Sequence, residues 1–418
     1  MHRLFVLSVA ALAVLGRPAA GAEHWVTSWA TSQQLPEPEN TLAPDLLKDA
    51  TLRQVVRLSI GGKVLRLRLS NAFGTGPLHL LAVHVARAEP GGAIDPGTDR
   101  ALGFAGQPDV TIPSGASYLS DPIALPAPAF GDLAITIRYG DPPAQQTGHP
   151  GSRTATFVTH GDRLSDVRLA DAVTVDHWYQ IADVEVVAPP RAAAVVVLGD
   201  SITDGRGSTT NGNDRWTDAL ARRLQAKAAT RHLAVLNAGL GGNRLLDDGK
   251  GPNALARIDR DILAPPGIAA LIVLEGINDI GTLTHDGPVP ADEHASLVRR
   301  IVAAYGQIAA AAHAHRIKAY IGTVMPFMGT EFYHPDPANE ADRQAVNAWI
   351  RTQKLFDGAI DFDKLVRDPA QPDRLNPAYD VGDHLHLSPA GYRVMGEAAA
   401  ALLAAPRPVH KPHARRRR

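Results

Sequence analysis

At 418 residues, 45% of them hydrophobic, the chain can bury a sizeable core and is long enough for two domains. A formal net charge of -1 gives no reason to expect nucleic acid as a partner. The complete absence of cysteine excludes a disulfide framework, a thiolate nucleophile and any cysteine-based metal site, so stability has to come from packing.

Residues 1–22, MHRLFVLSVAALAVLGRPAAGA, carry one arginine near the start, an apolar run over 4–15, and small residues at Ala20-Gly21-Ala22. That is the pattern of a secretory signal peptide cleaved after Ala22. The run is too short for a comfortable membrane span, and no other segment approaches ~20 apolar residues. The mature chain is therefore expected to be exported, secreted or periplasmic, without an integral membrane segment.

Residues 23–187 read as an all-β domain, because apolar residues alternate and turn residues interrupt them at short intervals. Leu65, Leu67 and Leu69 alternate with Arg66, Arg68 and Ser70, and Leu133, Ile135 and Ile137 with Ala134, Thr136 and Arg138. Both are expected to be half-buried strands. Gly61-Gly62, between two such runs, predicts a tight hairpin turn at positive φ. A sandwich or jelly roll is the natural closure for so many short strands. Trp25, Trp29, Trp178 and Tyr179 could bind a polymer from its surface, but packing in the core or between domains is the favoured reading.

Ala188-Pro189-Pro190-Arg191 ends the alternation and reads as a linker over 188–191. Beyond it, over 192–405, the period changes. Trp216, Leu220 and Leu224, then Leu297, Ile301, Tyr305 and Ile308, recur at helical spacing between apolar runs at 195–198, 233–236, 268–274 and 319–324. Alternating strand and helix predicts a parallel, doubly wound α/β sheet with helices on both faces. A last helix starts at Ser388-Pro389 and runs to about Leu403. Residues 406–418, with four terminal arginines, read as a basic, solvated tail.

The chemistry follows from what stands after each strand. Gly199-Asp200-Ser201 presents a hydroxyl at a carboxyl edge, where open α/β sheets bind ligands. Ser201 fits a nucleophile, and equally a cap for the next segment. After the second strand comes the glycine-rich turn from Asn237 through Gly239, Gly241 and Gly242 to Asn243, where backbone N–H groups can approach a ligand closely. After the third come Gly276-Ile277-Asn278-Asp279, with a neutral amide donor at the same edge. A nucleophile and three donors, the N–H of Ser201 among them, compose a site for acyl transfer. Asp383-His384-Leu385-His386 adds a base and a carboxylate: with Asp383 three residues ahead of His386, one turn lets it reach Nδ1 while Nε2 faces Ser201. His384 is the competing base, with a supporting role the better assignment. Asp383, His384 and His386 are also zinc-ligand types. No further ligand cluster accompanies them, so neither metal nor cofactor is expected.

In these four blocks, taken in order, the chain resembles the SGNH hydrolases, also called GDSL esterases, over about 192–403. The departures are Ile202, where the family name has leucine, and Ile277, where glycine is frequent. The resemblance implies a flavodoxin-like three-layer hydrolase domain with Ser201 as nucleophile, Gly242 and Asn278 as oxyanion donors, His386 as base and Asp383 as its orienter. Gly242 rather than Gly241 follows from counting the second block from Asn237. No Gly-x-Ser-x-Gly elbow surrounds Ser201, since Thr203 holds the last position, which argues against the other large serine-esterase fold. The resemblance implies ester hydrolysis, and export with an N-terminal β domain favours an esterase removing acetyl groups from a polysaccharide. A lipase or short-chain carboxylesterase is the runner-up. A non-catalytic carbohydrate-binding protein on a hydrolase scaffold is the alternative of another class.

Overall fold

In the computed structural model, which describes residues 23–405, strands up to Val187 pair antiparallel and those from Ala193 onward pair parallel. The expected signal peptide and basic tail lie outside the described residues. The antiparallel region holds a five-stranded and an eight-stranded sheet. In the strand Gly62–Ser70 the leucines face inward and the arginines outward, as the alternation predicts. Arg68 pairs with Asp183 and Glu185 at 2.8 and 2.7 Å, and Arg66 with Glu185 at 2.6 Å, all across to the neighbouring strand Ile181–Val187.

Two expectations for this region are corrected. Gly61-Gly62 is not a hairpin turn: the strands Ala50–Arg57 and Gly62–Ser70 belong to different sheets, and neither glycine has positive φ. Glycine is needed there for close approach, because a Cβ at Gly61 would lie 2.5 Å from the Ala127 carbonyl oxygen and one at Gly62 2.7 Å from Val186 Cβ. Nor is the strand Asp132–Tyr139 half-buried, since both its faces are covered. The fully buried Arg53 explains why: its guanidinium donates to Thr136 Oγ1 and to the carbonyls of Gly92, Leu164, Asp166 and Val167, tying loops over the second face. Trp29, Trp178 and Tyr179 are buried, and Trp25 lies under the guanidinium of Arg66, 4.1 Å from its ring centre.

The parallel sheet is built from Leu233–Gly239, Ala193–Gly199, Ile268–Leu274, Lys318–Gly322 and Gly358–Ile360, in that spatial order. The second strand in sequence therefore stands beside the first on the side away from the third. Right-handed crossovers then put the helix Trp216–Gln225 on the face opposite Ala291–Ala314. Pro389–Ala404 packs with the former and Pro337–Thr352 with the latter, which yields a flavodoxin-like doubly wound sheet. The central strands are apolar along their whole length because both faces are covered. Ser388 stands at the N-cap of the last helix, as expected, but its hydroxyl makes no capping hydrogen bond. Trp25–Ala30 contacts Leu233–Gly239, Ser59 Oγ donates to the Val235 carbonyl at 2.7 Å, and one hydrophobic core runs through both regions. Among the described residues no helix is long and apolar enough to cross a membrane.

Candidate active site

The strand order reverses beside Ala193–Gly199, so the turns after the first three parallel strands open onto one crevice. Gly199 has to be glycine, because a Cβ there would meet Thr203 Oγ1 at 2.1 Å. Asp200 then caps the four-residue helix Ser201–Asp204, its Oδ1 accepting from the Ile202 N–H at 2.9 Å. Since Asp200 is the cap, the Ser201 hydroxyl is left for another partner. That partner is His386, whose Nε2 lies 2.8 Å from Ser201 Oγ.

Asp383 builds the loop that delivers His386. Its Oδ1 accepts the N–H groups of Leu385 and His386 at 3.0 and 2.8 Å, and its Oδ2 accepts from His386 Nδ1 at 2.6 Å. A carboxylate at Nδ1 fixes the proton there and leaves the Nε2 lone pair facing the serine. Burial pushes the imidazole of His386 below the ordinary histidine range; Asp383 opposes the shift, while the guanidiniums of Arg206 and Arg153 add to it. Burial works against the Asp383 carboxylate too, yet the hydrogen bond and charge of His386 and the two N–H donors hold it well below the usual carboxylate range. His384 also lines the cavity, but it is exposed and in a left-handed conformation, and its Nδ1 is engaged 2.6 Å from Asp380 Oδ2.

The glycine-rich turn is clamped at both ends. Asn237 Nδ2 donates to the Thr203 carbonyl at 2.8 Å, tying the second strand to the serine helix, and Asn237 Oδ1 accepts from the Gly239 N–H at 2.9 Å. Further on, the Asp279 carboxylate accepts the N–H groups of Leu245 and Leu246 at 2.9 and 3.0 Å. Gly241 and Gly242 both line the cavity with Ser201 and Asn278, and only Gly242 has left-handed φ, at 69°. Among the described residues neither glycine N–H has a protein acceptor.

Asn278 is 2% exposed, and its partners fix the orientation of the amide. Tyr333 O–H donates to Oδ1 at 2.6 Å and Nδ2 donates to the Asn243 carbonyl at 2.7 Å, which leaves one N–H uncommitted. Beneath these turns lies Arg257, fully buried, whose guanidinium donates to Asn243 Oδ1 and to the carbonyls of Ala238 and Gly199. It also reaches Asp261 at 3.0 Å and Glu275 at 3.3 Å, and so locks the ends of two strands and the glycine turn together.

These groups surround a cavity of about 730 Å³. One wall is Gln34, Glu37, Asn40, Pro150, Gly151 and Arg153, all from the antiparallel region. A separate crevice of about 390 Å³, between that region and the helix Trp216–Gln225, contains neither Ser201 nor His386. Among the described residues no group of three or more His, Asp or Glu side chains is arranged to hold a metal ion. A hydroxyl, an imidazole and a carboxylate so linked can pass a proton from the serine and turn its oxygen into an attacking group.

Residues 197–394 match the GDSL-like Lipase/Acylhydrolase family. This segment belongs to the GDSL hydrolases. The general chemistry of the GDSL domain is carboxylic ester hydrolysis. Among solved structures similar to the chain are a putative lipolytic protein of the G-D-S-L family from Desulfitobacterium hafniense DCB-2 (19% identity, 50% of this chain and 99% of that one, TM-score 0.38) and a putative arylesterase from Agrobacterium tumefaciens str. C58 (23%, 50% and 98%, 0.38). Another is Est24, a carbohydrate acetylesterase from Sinorhizobium meliloti (17%, 51% and 98%, TM-score 0.38). No curated protein matches the chain.

The GDSL motifs leave Tyr333, Arg257, His149 and Asp204 unmarked, although all four touch the site or the turns that build it. Tyr333 sits in a loop without periodicity, and Arg257 looks like one more surface charge until its burial is known.

Proposed function

We propose that the GDSL domain works through a serine acyl-enzyme, with Ser201 as nucleophile, His386 as base and Asp383 orienting the imidazole. The N–H groups of Ser201 and Gly242 and the side-chain amide of Asn278 donate to the oxyanion. One observation carries this reading: the linked contacts of 2.8 Å from Ser201 Oγ to His386 Nε2 and 2.6 Å from His386 Nδ1 to Asp383 Oδ2. Ser201 Oγ attacks the ester carbonyl as its proton passes to Nε2, and His386 returns that proton to the departing alcohol. Water, deprotonated by the same nitrogen, then attacks the acyl-serine; the bond from Oγ to the acyl carbon breaks, His386 gives the proton to Oγ, and the acid leaves.

The substrate we infer is an acetylated carbohydrate met outside the cytoplasm, after export by residues 1–22. Supporting it, Gln34, Glu37, Asn40, Arg153, Arg206 and Lys250 bring charged and amide groups into the cavity, able to hydrogen-bond a sugar's hydroxyls. Phe332, 62% exposed at its rim, offers a flat apolar face beside those polar groups. With this goes the division into an all-β sandwich domain at 23–187, a linker at 188–191 and a hydrolase domain at 192–405, supported by the change of strand pairing at that point. A panel of acetylated xylan, pectin and peptidoglycan beside p-nitrophenyl esters of rising chain length tests the substrate. Acetate release from a polymer, with p-nitrophenyl acetate preferred to long-chain esters, is expected. A preference for long acyl chains would move the reading to a lipase.

Two kinetic results follow from the roles assigned. Asn278→Ala should lower kcat roughly 10²–10³-fold, or ~2.7–4 kcal/mol, with little change in KM, because the donor acts on charge that develops only in the transition state. Asn278→Asp should do at least as badly, since an ionised carboxylate has no proton to donate and repels the oxyanion. Wild-type kcat in a folded Asn278→Asp variant would remove Asn278 from the oxyanion site. In the free enzyme, kcat/KM should rise with pH as His386 loses its proton, and the midpoint should fall below the reference value of ~6.5 because burial disfavours the imidazolium. An acid limb centred above that value would contradict the environment described for His386.

A further inference from the structure

The helix Ser201–Asp204 has only four residues and cannot hold its own orientation, so the direction of the Ser201 hydroxyl depends on what grips the two ends. Asp200 grips the first. The other end is Asp204, 2% exposed, one helical turn from Ser201, whose carboxylate takes its hydrogen bond from outside the GDSL segment. His149, in the short strand Gly148–His149 of the antiparallel region, places Nε2 2.9 Å from Asp204 Oδ1. Its Nδ1 donates to the Ser32 carbonyl at 2.8 Å, and its ring stacks on Trp178 at 5.7 Å. Acceptors at both ring nitrogens fix a proton on Nδ1 and hold another between Nε2 and Oδ1.

The packing around Asp204 leaves no slack. A Cβ on Gly151 would lie 1.7 Å from Asp204 Oδ2, and one on Gly239 would lie 2.2 Å from the Asp204 backbone nitrogen. Arg215 Nε donates to the Asp204 carbonyl at 3.0 Å. Among the described residues Oδ2 has no hydrogen-bond partner, and Arg153 lies 3.9 Å from it. A buried carboxylate with an unsatisfied oxygen weakens a fold that an apolar side chain would serve better.

We propose that His149 is a positioning residue for Ser201: through Asp204, the antiparallel region fixes the helix that carries the hydroxyl. The inference rests on Ser201 being the nucleophile. It is tested on the full chain with diethyl p-nitrophenyl phosphate, whose phosphorus Ser201 Oγ attacks with departure of p-nitrophenolate. His149→Asn keeps a donor near the Nδ1 position and loses the one to Asp204, whereas His149→Gln keeps a donor near the Nε2 position. His149→Asn should fold with a lowered melting temperature, because Asp204 loses its partner, and at a temperature where it is fully folded it should be phosphorylated about 10–100-fold more slowly than wild type with an unchanged KM for p-nitrophenyl acetate. His149→Gln should recover most of that rate. A folded His149→Asn that reacts at the wild-type rate, or a His149→Gln as slow as His149→Asn, overturns this inference alone. A wild-type chain that is not phosphorylated at Ser201 overturns the serine reading and takes this inference with it. Should His149→Asn fail to fold, the comparison moves to Asp204→Asn, which keeps the acceptor for Nε2, against Asp204→Ala, which removes it; equal rates in that pair again overturn the proposal.

Discussion

Ser201→Ala is expected to lower kcat for p-nitrophenyl acetate by on the order of 10⁶-fold and to leave the protein folded. The two halves of that expectation have separate causes. Removing Oγ removes the atom that would attack the carbonyl, and oxyanion donors alone preserve only a residual rate. The helix start is unharmed, because its cap is Asp200 and the serine hydroxyl bonds to His386, outside the helix. Alanine also suits a helix and occupies less space in a buried position. Kinetics on a preparation free of contaminating esterase, with a melting curve beside them, check both halves.

The second large effect separates two histidines that stand two residues apart. His386→Ala should lose about as much activity as Ser201→Ala, since a serine without its base is as ineffective as a base without its serine. His384→Ala should retain a substantial fraction. Its ring is exposed and bonded to Asp380, and Ser201 Oγ faces the other imidazole. Activity measured on both variants at one pH gives the ranking directly. The reverse order would move the base to His384 and require the loop at 380–386 to rearrange when substrate binds.

Much of the hydrolase fold was legible because its strands are apolar runs ended by glycine and its helices repeat at 3.6 residues. Val195 to Leu198 stops at Gly199, and Trp216, Leu220 and Leu224 mark one buried helix face. Ser201, the glycine turn and Asn278 were legible for a related reason: they stand just after strand ends, and topology brings strand ends to one edge, while Asp383 and His386 were legible from their spacing ahead of the last helix. What escaped depends on distance along the chain. His149 and Asp204 meet across 55 residues, and no local pattern announces the contact. Gly61 and Gly62 look the same in a sequence whether glycine is needed for positive φ or for room, and here it is room. The strand Asp132–Tyr139 alternates like a half-exposed strand, but Thr136 meets the buried Arg53 rather than water. Local polarity does not report a loop folded over that face.

The central claim is that the ester's acyl group passes through Ser201. Mixing wild-type protein with p-nitrophenyl acetate, quenching in acid within the first turnovers and mapping the peptides by mass spectrometry tests it most directly. The account predicts an acetyl group on Ser201 that disappears as turnover completes, and none in Ser201→Ala. Turnover with the acetyl group on another residue, or with no acyl-protein formed although acetyl-serine survives the quench, would contradict it.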